Sequence, residues 1–230
     1  MSQPVDAVLL DAGGVLTLPD PDLVREELSG DGASPEVDAL DRAHYVGLLA
    51  HDRAGGGEQG YRAFLAAYVR AAGVAPSRVE GAVERLARAF KRADNAWSRV
   101  CPGAESGLRA LCATGARVVI VSNSNGTVEQ SLVSMGVCQV GRGRGASVTA
   151  VLDSAVVGIA KPDPRIFAHA LSEAGVAADR AVHVGDSVYA EVEGARAAGI
   201  TPVHFDPHAL CEAHDHQHAG SLIEVASLVT

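Results

Sequence analysis

The run from Val5 to Leu16 limits this chain more than any other stretch. It reads Val-Asp-Ala-Val-Leu-Leu-Asp-Ala-Gly-Gly-Val-Leu, an apolar run that ends in one carboxylate and two glycines. Val and Leu dominate and few polar residues interrupt them, which predicts a parallel strand covered on both faces. Asp11 then falls at the carboxyl end of the strand, the edge on which open α/β sheets bind ligands. Gly13 and Gly14 let the backbone turn sharply and come close to a ligand, so that amides and carbonyls can serve beside side chains. By itself the stretch is equally compatible with a strand capped by an ordinary turn.

The rest of the chain decides between these readings. Its 230 residues are 47% apolar, ample for a packed core. A net charge of -9 argues against nucleic acid or an anionic membrane as the main partner. Cys101, Cys112, Cys138 and Cys211 are far apart and show no paired or zinc spacing, which predicts reduced thiols in a cytoplasm. Asp6 and Asp11 interrupt the N-terminal apolar run and no basic region precedes it, so neither a signal peptide nor a membrane span is expected.

From about Thr17 to Arg99 the pattern is helical, without a convincing strand. Val37, Leu40, His44 and Leu48 share one helical face, Tyr61, Phe64, Leu65 and Tyr68 another, and Val79, Val83, Leu86 and Phe90 a third. Three such helices predict a small bundle inserted into the chain. After Pro102 helices and strands alternate: a helix near Glu105 to Ala113, a strand ending at Ser122, a helix through Val128 to Met135, a strand over Ala150 to Asp153, a helix opened by Pro162 and Pro164, a strand leading into Gly185, a helix to Gly199 and a last strand over Thr201 to Phe205. Residues Gln139 to Ser147 read as a loop; the two arginines at its centre are a poor basis for RNA binding in an acidic chain. The alternation predicts an α/β fold with a doubly wound, Rossmann-like parallel sheet. The expected division is a core of residues 1–16 and 100–230 with an all-helical cap over 17–99.

Four polar groups then converge on one sheet edge: Asp11, Ser122 with Asn123, Lys161 and Asp186. A nucleophilic carboxylate, a hydroxyl, an ammonium and a second carboxylate are what metal-assisted phosphoryl transfer requires. Asp11 attacks phosphorus to give an aspartyl phosphate, Mg2+ between Asp11 and Asp186 offsets charge, Lys161 and Ser122 bind the equatorial oxygens, and water hydrolyses the acyl phosphate. Lys161 gains weight from composition: the chain has 17 arginines and only two lysines, Lys91 and Lys161. A compact ammonium is not interchangeable with a planar guanidinium.

With these residues in order, the sequence resembles the haloacid dehalogenase-like (HAD) hydrolase superfamily, in its subgroup with a helical cap inserted after the first motif. The matching pieces are Asp11-Ala-Gly-Gly-Val-Leu, Val121-Ser-Asn, Val157-Gly-Ile-Ala-Lys-Pro-Asp-Pro-Arg-Ile-Phe, Val184-Gly-Asp-Ser and Gly194-Ala-Arg-Ala-Ala-Gly. The resemblance implies a Rossmann-like core, Mg2+ dependence, hydrolysis of a small phosphorylated metabolite, and a cap that closes over the site and selects the substrate. It implies Asp11, Ser122 and Lys161 as catalytic, Gly14, Ser122, Asn123 and Lys161 around the phosphate, and Asp11, Gly13 through its carbonyl, Asp186 and Glu191 around the metal.

Two positions depart from the family pattern. Family phosphatases carry a second aspartate two residues after the nucleophile as general acid; here that residue is Gly13, and losing a positioned acid costs ~10²- to 10⁴-fold in rate. Three readings follow: a slower phosphatase acting on esters with good leaving groups, one with another proton donor, or a phosphometabolite-binding regulatory protein. The retention of Asp11, Ser122, Lys161 and Asp186 favours the first two. Glu191 replaces a further aspartate, keeps the charge, and is suited to contact metal through water or to hold Lys161; a solvated first-turn acid is the plainer account of it. Haloacid dehalogenation, also run by an aspartate nucleophile, is disfavoured because Asp186 would oppose a substrate carboxylate.

His204, His208, His214, His216 and His218 make the C-terminal region histidine-rich. The sequence His214-Asp-His-Gln-His is able to bind a transition metal, but alternate spacing in a loop is permissive, and a solvated tail is expected. In the cap, Tyr45, Arg62, Lys91 and Trp97 are the candidates for touching substrate.

Overall fold

The computed structural model describes residues 5–93 and 95–229. The expected ranges 1–16, 17–99 and 100–230 include residues 1–4, 94 and 230, which lie outside the described residues. The chain forms two compact units: the residues up to Thr17 together with those from Val100 onward, and Leu18–Arg99.

The order opens with β1 (Ala7–Leu10) and β2 (Thr17–Leu18), followed by four helices, α1 (Pro21–Leu28), α2 (Val37–Arg53), α3 (Gly57–Ala71) and α4 (Val79–Arg92). The chain then runs through β3 (Arg99–Val100), α5 (Ala104–Ala113), β4 (Arg117–Ser122), α6 (Val128–Ser134), β5 (Cys138–Val140), β6 (Ala146–Val148) and β7 (Ala150–Asp153). It ends with α7 (Ser154–Val157), α8 (Pro164–Ala174), β8 (Ala181–Gly185), α9 (Glu193–Ala197), β9 (Thr201–Phe205), β10 (Gln217–Ala219) and α10 (Leu222–Leu228). Strands β2 and β3 pair where the chain leaves the first unit and returns to it.

The main sheet has the order β10-β9-β8-β1-β4-β7 and its pairs are parallel. It is the doubly wound Rossmann-like arrangement that the alternation predicts. Winding reverses beside β1, so β1 and β8 flank the topological switch point. The apolar run of β1 has its cause in two-sided burial. Ala7 and Leu9, with Val119 and Val121 of β4, pack in one cluster with Ile166, Phe167 and Ala170 of α8 and Ala195 of α9. Val8, Leu10, Val118 and Ile120, on the alternate face, are buried as well.

Four expectations need correction. The Leu18–Arg99 unit holds a fourth helix, α1, which contributes only Val24 and Leu28 to the core and so leaves a weak apolar period. Its signal was the start: Pro21 opens the helix and Asp20 accepts from the Asp22 and Leu23 amides at 2.9 and 3.2 Å. Residues 139–147 are not a plain loop, because β5 and β6 pair in parallel. Gln139 ties that turn together, accepting from the Gly145 amide at 2.8 Å and donating to its carbonyl at 3.1 Å. The strand over Thr201–Phe205 is not the last, since β10 adds to the sheet edge with His218 beside His204. His204, His216 and His218 are therefore built into the fold and belong to no solvated tail, whereas His208 and His214 are exposed. Finally, the helix expected from Pro162 starts at Pro164, with Asp163 capping it through the Arg165 amide at 2.9 Å.

The helical unit has its own core, in which Val24, Leu40, Phe64, Leu65, Tyr68, Val83 and Leu86 are buried together. Of the four residues expected to touch substrate, Tyr45 is buried. Arg62 pairs with Glu80 at the surface, Lys91 is exposed, and the Trp97 ring packs on Phe90 at 5.0 Å. His44 lies edge-on to Tyr45 and Phe64, at 5.2 and 5.6 Å. Burial holds its pKa down to about 4, against the pull of Asp41. Below pH 6.5 the unfolded chain takes up a proton that the folded imidazole refuses until about pH 4, so stability is lost as pH falls through that window. A loss of about 2 kcal/mol between pH 7 and pH 5 is expected from this group. Denaturant unfolding across pH should show that loss in the wild type, and a flatter profile in His44→Phe.

Candidate active site

Asp11 is the first residue past β1. Its amide donates to the Val184 carbonyl of β8 at 2.9 Å, so the neighbouring strand fixes its backbone. Its Oδ1 accepts from the Ala12 amide at 2.7 Å and from Lys161 Nζ at 2.7 Å. The turn that follows closes on itself: Gly14, with φ at 66°, donates its amide to the Thr17 carbonyl at 2.7 Å. That amide, expected near the phosphate, is spent on the turn.

Lys161 lies in the loop between α7 and α8, not directly at a strand end. Its ammonium has three donors and each has an acceptor: Asp11 Oδ1, Glu191 Oε1 at 2.9 Å, and the Val121 carbonyl at 2.7 Å. Asn123 sets the backbone beneath it. The side-chain amide accepts from Lys161 N at 2.8 Å and donates to the Lys161 carbonyl at 3.0 Å, so both polar ends of Asn123 are occupied there. Asp153 holds the loop after β4, accepting from the Gly126 and Val128 amides at 2.9 and 3.3 Å.

Glu191 reaches the site because Val188–Val192 forms a π-turn, in which the Val192 amide reaches back to the Ser187 carbonyl. Ser187 caps this turn through the Ala190 amide. The wider turn directs a buried carboxylate to two partners, Lys161 and, through Oε2, His183 Nε2 at 2.6 Å. The plain reading of Glu191 as a solvated acid is thus overturned. Gly185 leaves the room: a Cβ there would collide with Cβ and Cγ of Glu191.

His183 was not singled out from the sequence. Its signal was an imidazole within the apolar strand Ala181-Val182-His183-Val184, where the ring is buried against Phe167 at 4.8 Å and orients Glu191.

Oxygens of Asp11, Asp186 and Glu191 lie within 4.8 Å of one another, all on buried residues. Burial, then the charge of Glu191 and that of Asp186, push the Asp11 carboxyl well above its ordinary value, with Lys161 pulling against them. Burial alone would lower Lys161, but Asp11 and Glu191 outweigh it and hold the ammonium charged. Burial would likewise raise Glu191, and Lys161 and His183 bring it below the usual carboxylate value. Three buried carboxyl groups share one ammonium. Such an all-oxygen, net-negative cluster suits a small hard divalent cation such as Mg2+.

A buried carboxylate just past β1, an anchored lysine and an acidic cluster at the switch point of a parallel sheet make this edge the candidate active site of an α/β protein. The haloacid dehalogenase-like hydrolase profile matches residues 5–199. The chain is 30% identical over 204 residues to a phosphoglycolate phosphatase of Cupriavidus necator, covering 87% of this chain and 80% of that one. It is 36% identical over 135 residues to a phosphoserine phosphatase of Thermus thermophilus, covering 59% of this chain but only half of that protein's length. Among solved structures, a HAD hydrolase of Bacillus subtilis bound to magnesium superposes with a TM-score of 0.63 at 14% identity over 99% of both chains, which shows the shared fold. The chain belongs to the haloacid dehalogenase-like hydrolases. Among the described residues no helix is long and apolar enough to cross a membrane.

Gly185→Ala is expected to displace Glu191 from its two partners, at an overpacking cost of about 1–3 kcal/mol. Denaturant unfolding should report it as a lower midpoint with an unchanged slope.

Proposed function

We propose that this hydrolase is a Mg2+-dependent phosphatase of a small phosphorylated metabolite, with Asp11 as the nucleophile. The carrying observation is the Asp11–Lys161–Glu191 bridge beside Asp186, and the relatives named as phosphatases support it. Lys161 and the Ala12 amide both occupy Oδ1 of Asp11, which leaves Oδ2 for attack on phosphorus. The new Oδ2–P bond forms as the ester P–O bond breaks, and the departing oxygen takes a proton. Water then attacks the aspartyl phosphate, giving inorganic phosphate and restoring Asp11. The positive charge of Lys161, whose three donors stay on the protein, and the Ser122 hydroxyl stabilise the equatorial oxygens.

Mg2+ would be held by Asp11, Asp186 and the Gly13 carbonyl, and when bound supplies charge neutralisation at the transferring phosphoryl group. Both Glu191 oxygens are already engaged, so its contribution in this reading is to hold Lys161 and to meet the metal through water. The Leu18–Arg99 unit is the cap, and the setting is a cytoplasm. Haloacid dehalogenation fits less well, because the acids beside Asp11 would repel a substrate carboxylate.

Gly13 shapes the chemistry. Without a side-chain acid the leaving group must take its proton from solvent or depart as a stable anion, so acyl and aryl phosphates should outrun alkyl phosphates. Gly13 also favours a second reading, in which ligand binds without turnover. Phosphate release from a panel of sugar, nucleoside, acyl and aryl phosphates separates the two. Turnover should require Mg2+, vanish with chelator and vanish in Asp11→Asn; release no greater than in that variant would establish the binding-only protein.

A second prediction concerns the missing acid. Gly13 lies outside the positive-φ region, so its backbone accepts an L side chain. Gly13→Asp is expected to raise kcat on alkyl phosphates by about 10²-fold and to flatten the dependence on leaving group.

A further inference from the structure

At the edge of the sheet, on the far side of the Asp186 backbone from the acidic carboxylates, the fold gathers His204, Cys211, His216 and His218. One donor atom from each lies within 4.8 Å of the others. Register explains how. His204 on β9 pairs with His218 on β10, and His216, at the bend that leads into β10, stacks its ring on that of His218. The spacing that is permissive in a free loop becomes directional once β10 is anchored on β9. Asp206 brings in the fourth group by accepting from the Leu210 and Cys211 amides at 2.9 and 2.8 Å.

The outward nitrogen of each imidazole meets an acceptor. His204 Nε2 lies 3.3 Å from the Asp186 carbonyl, His218 Nε2 lies 3.0 Å from the Ala213 carbonyl, and His216 Nδ1 lies 2.8 Å from Asp215 Oδ1. Those acceptors require N–H donors, so in the neutral rings His204 Nδ1, His216 Nε2 and His218 Nδ1 carry the lone pairs. Outer partners that fix the tautomer in this way accompany metal-ligating histidines. His204 Nδ1 and His216 Nε2 are 3.2 Å apart, and Cys211 Sγ is 3.9 Å from His216 Nε2. Tetrahedral zinc with ordinary bond lengths sets N···N at about 3.3 Å and S···N at about 3.6 Å. The His216 and His218 rings stack at 4.6 Å, and Asp206 Oδ2 lies 3.7 Å from His218 Nδ1.

We infer that His204, Cys211, His216 and His218 form a second metal site, for a tetrahedral cation of the Zn2+ class. It is chemically distinct from the all-oxygen cluster at Asp11: imidazole and thiolate select Zn2+, whereas carboxylates and carbonyls select Mg2+. Binding converts the Cys211 thiol to thiolate and releases its proton to solvent. The inference stands independently of the phosphatase reading.

The test is a Co2+ titration of the metal-free full chain with excess Mg2+ present to occupy the oxygen cluster. One equivalent should bind with a thiolate-to-Co2+ charge-transfer absorption and the intense visible bands of a tetrahedral ion, and Zn2+ should displace it. Cys211→Ser should abolish the charge-transfer band. Asp215 is 65% exposed, so Asp215→Ala removes the outer acceptor of His216 without threatening the fold; its Co2+ affinity should fall by about 10- to 100-fold. Absence of the thiolate band in the wild type, its survival in Cys211→Ser, or unchanged affinity in folded Asp215→Ala would overturn the assignment and leave a hydrogen-bonded histidine cluster.

Discussion

The candidate active-site edge of this protein depends on one buried ammonium. A lysine taken out of water is costly unless each of its charges and protons is answered. Lys161 is answered by two carboxylates and a carbonyl, and each answer dictates structure elsewhere. The Val121 carbonyl is supplied by β4, Asn123 clamps the lysine backbone, the π-turn carries Glu191 inward, and position 185 must lack a side chain. Arginine, planar and forked, would not satisfy this three-way arrangement. The only lysine besides Lys91 in an arginine-rich chain sits where that geometry is demanded.

Much of this was legible because parallel sheets turn sequence into position. The apolar runs of β1, β4 and β8 had to be buried on both faces, and the residues just past them had to share an edge. Asp11, Ser122 and Asp186 could therefore be placed before their contacts were known. What sequence did not carry were contacts made by surroundings rather than by period. His183 resembles any residue in a buried strand until Glu191 is found against it. Glu191 resembles a surface acid until the extra residue of the π-turn rotates it inward. The histidine-rich segment misled for the same reason: without the pairing of β10 to β9, alternate histidines have no common side.

Two kinds of donor chemistry meet at the loop after β8. Asp186 belongs through its side chain to the acidic cluster, and its carbonyl lies against His204 Nε2 at 3.3 Å. The backbone of one residue thus lies between a hard oxygen cluster and a nitrogen-sulfur cluster. If both hold ions, the free energy by which one occupant favours the other must act equally in reverse, because binding linkage is reciprocal. The sheet edge and the acidic cluster then share a support.

The position of β1 also bears on how the chain reaches its fold. The central strand precedes both of its partners in the chain: Ala7 pairs with Arg117 and Ala181, and the Leu18–Arg99 unit is made before either. That unit has a core of its own made from local helix contacts, which form quickly, whereas parallel pairing waits on closure of long loops. During synthesis an apolar strand with two open edges must therefore outlast the folding of the insert. Such exposed edges recruit other chains. Asp6 and Asp11, which flank the strand, are charges of the kind that discourages association until β4 and β8 arrive.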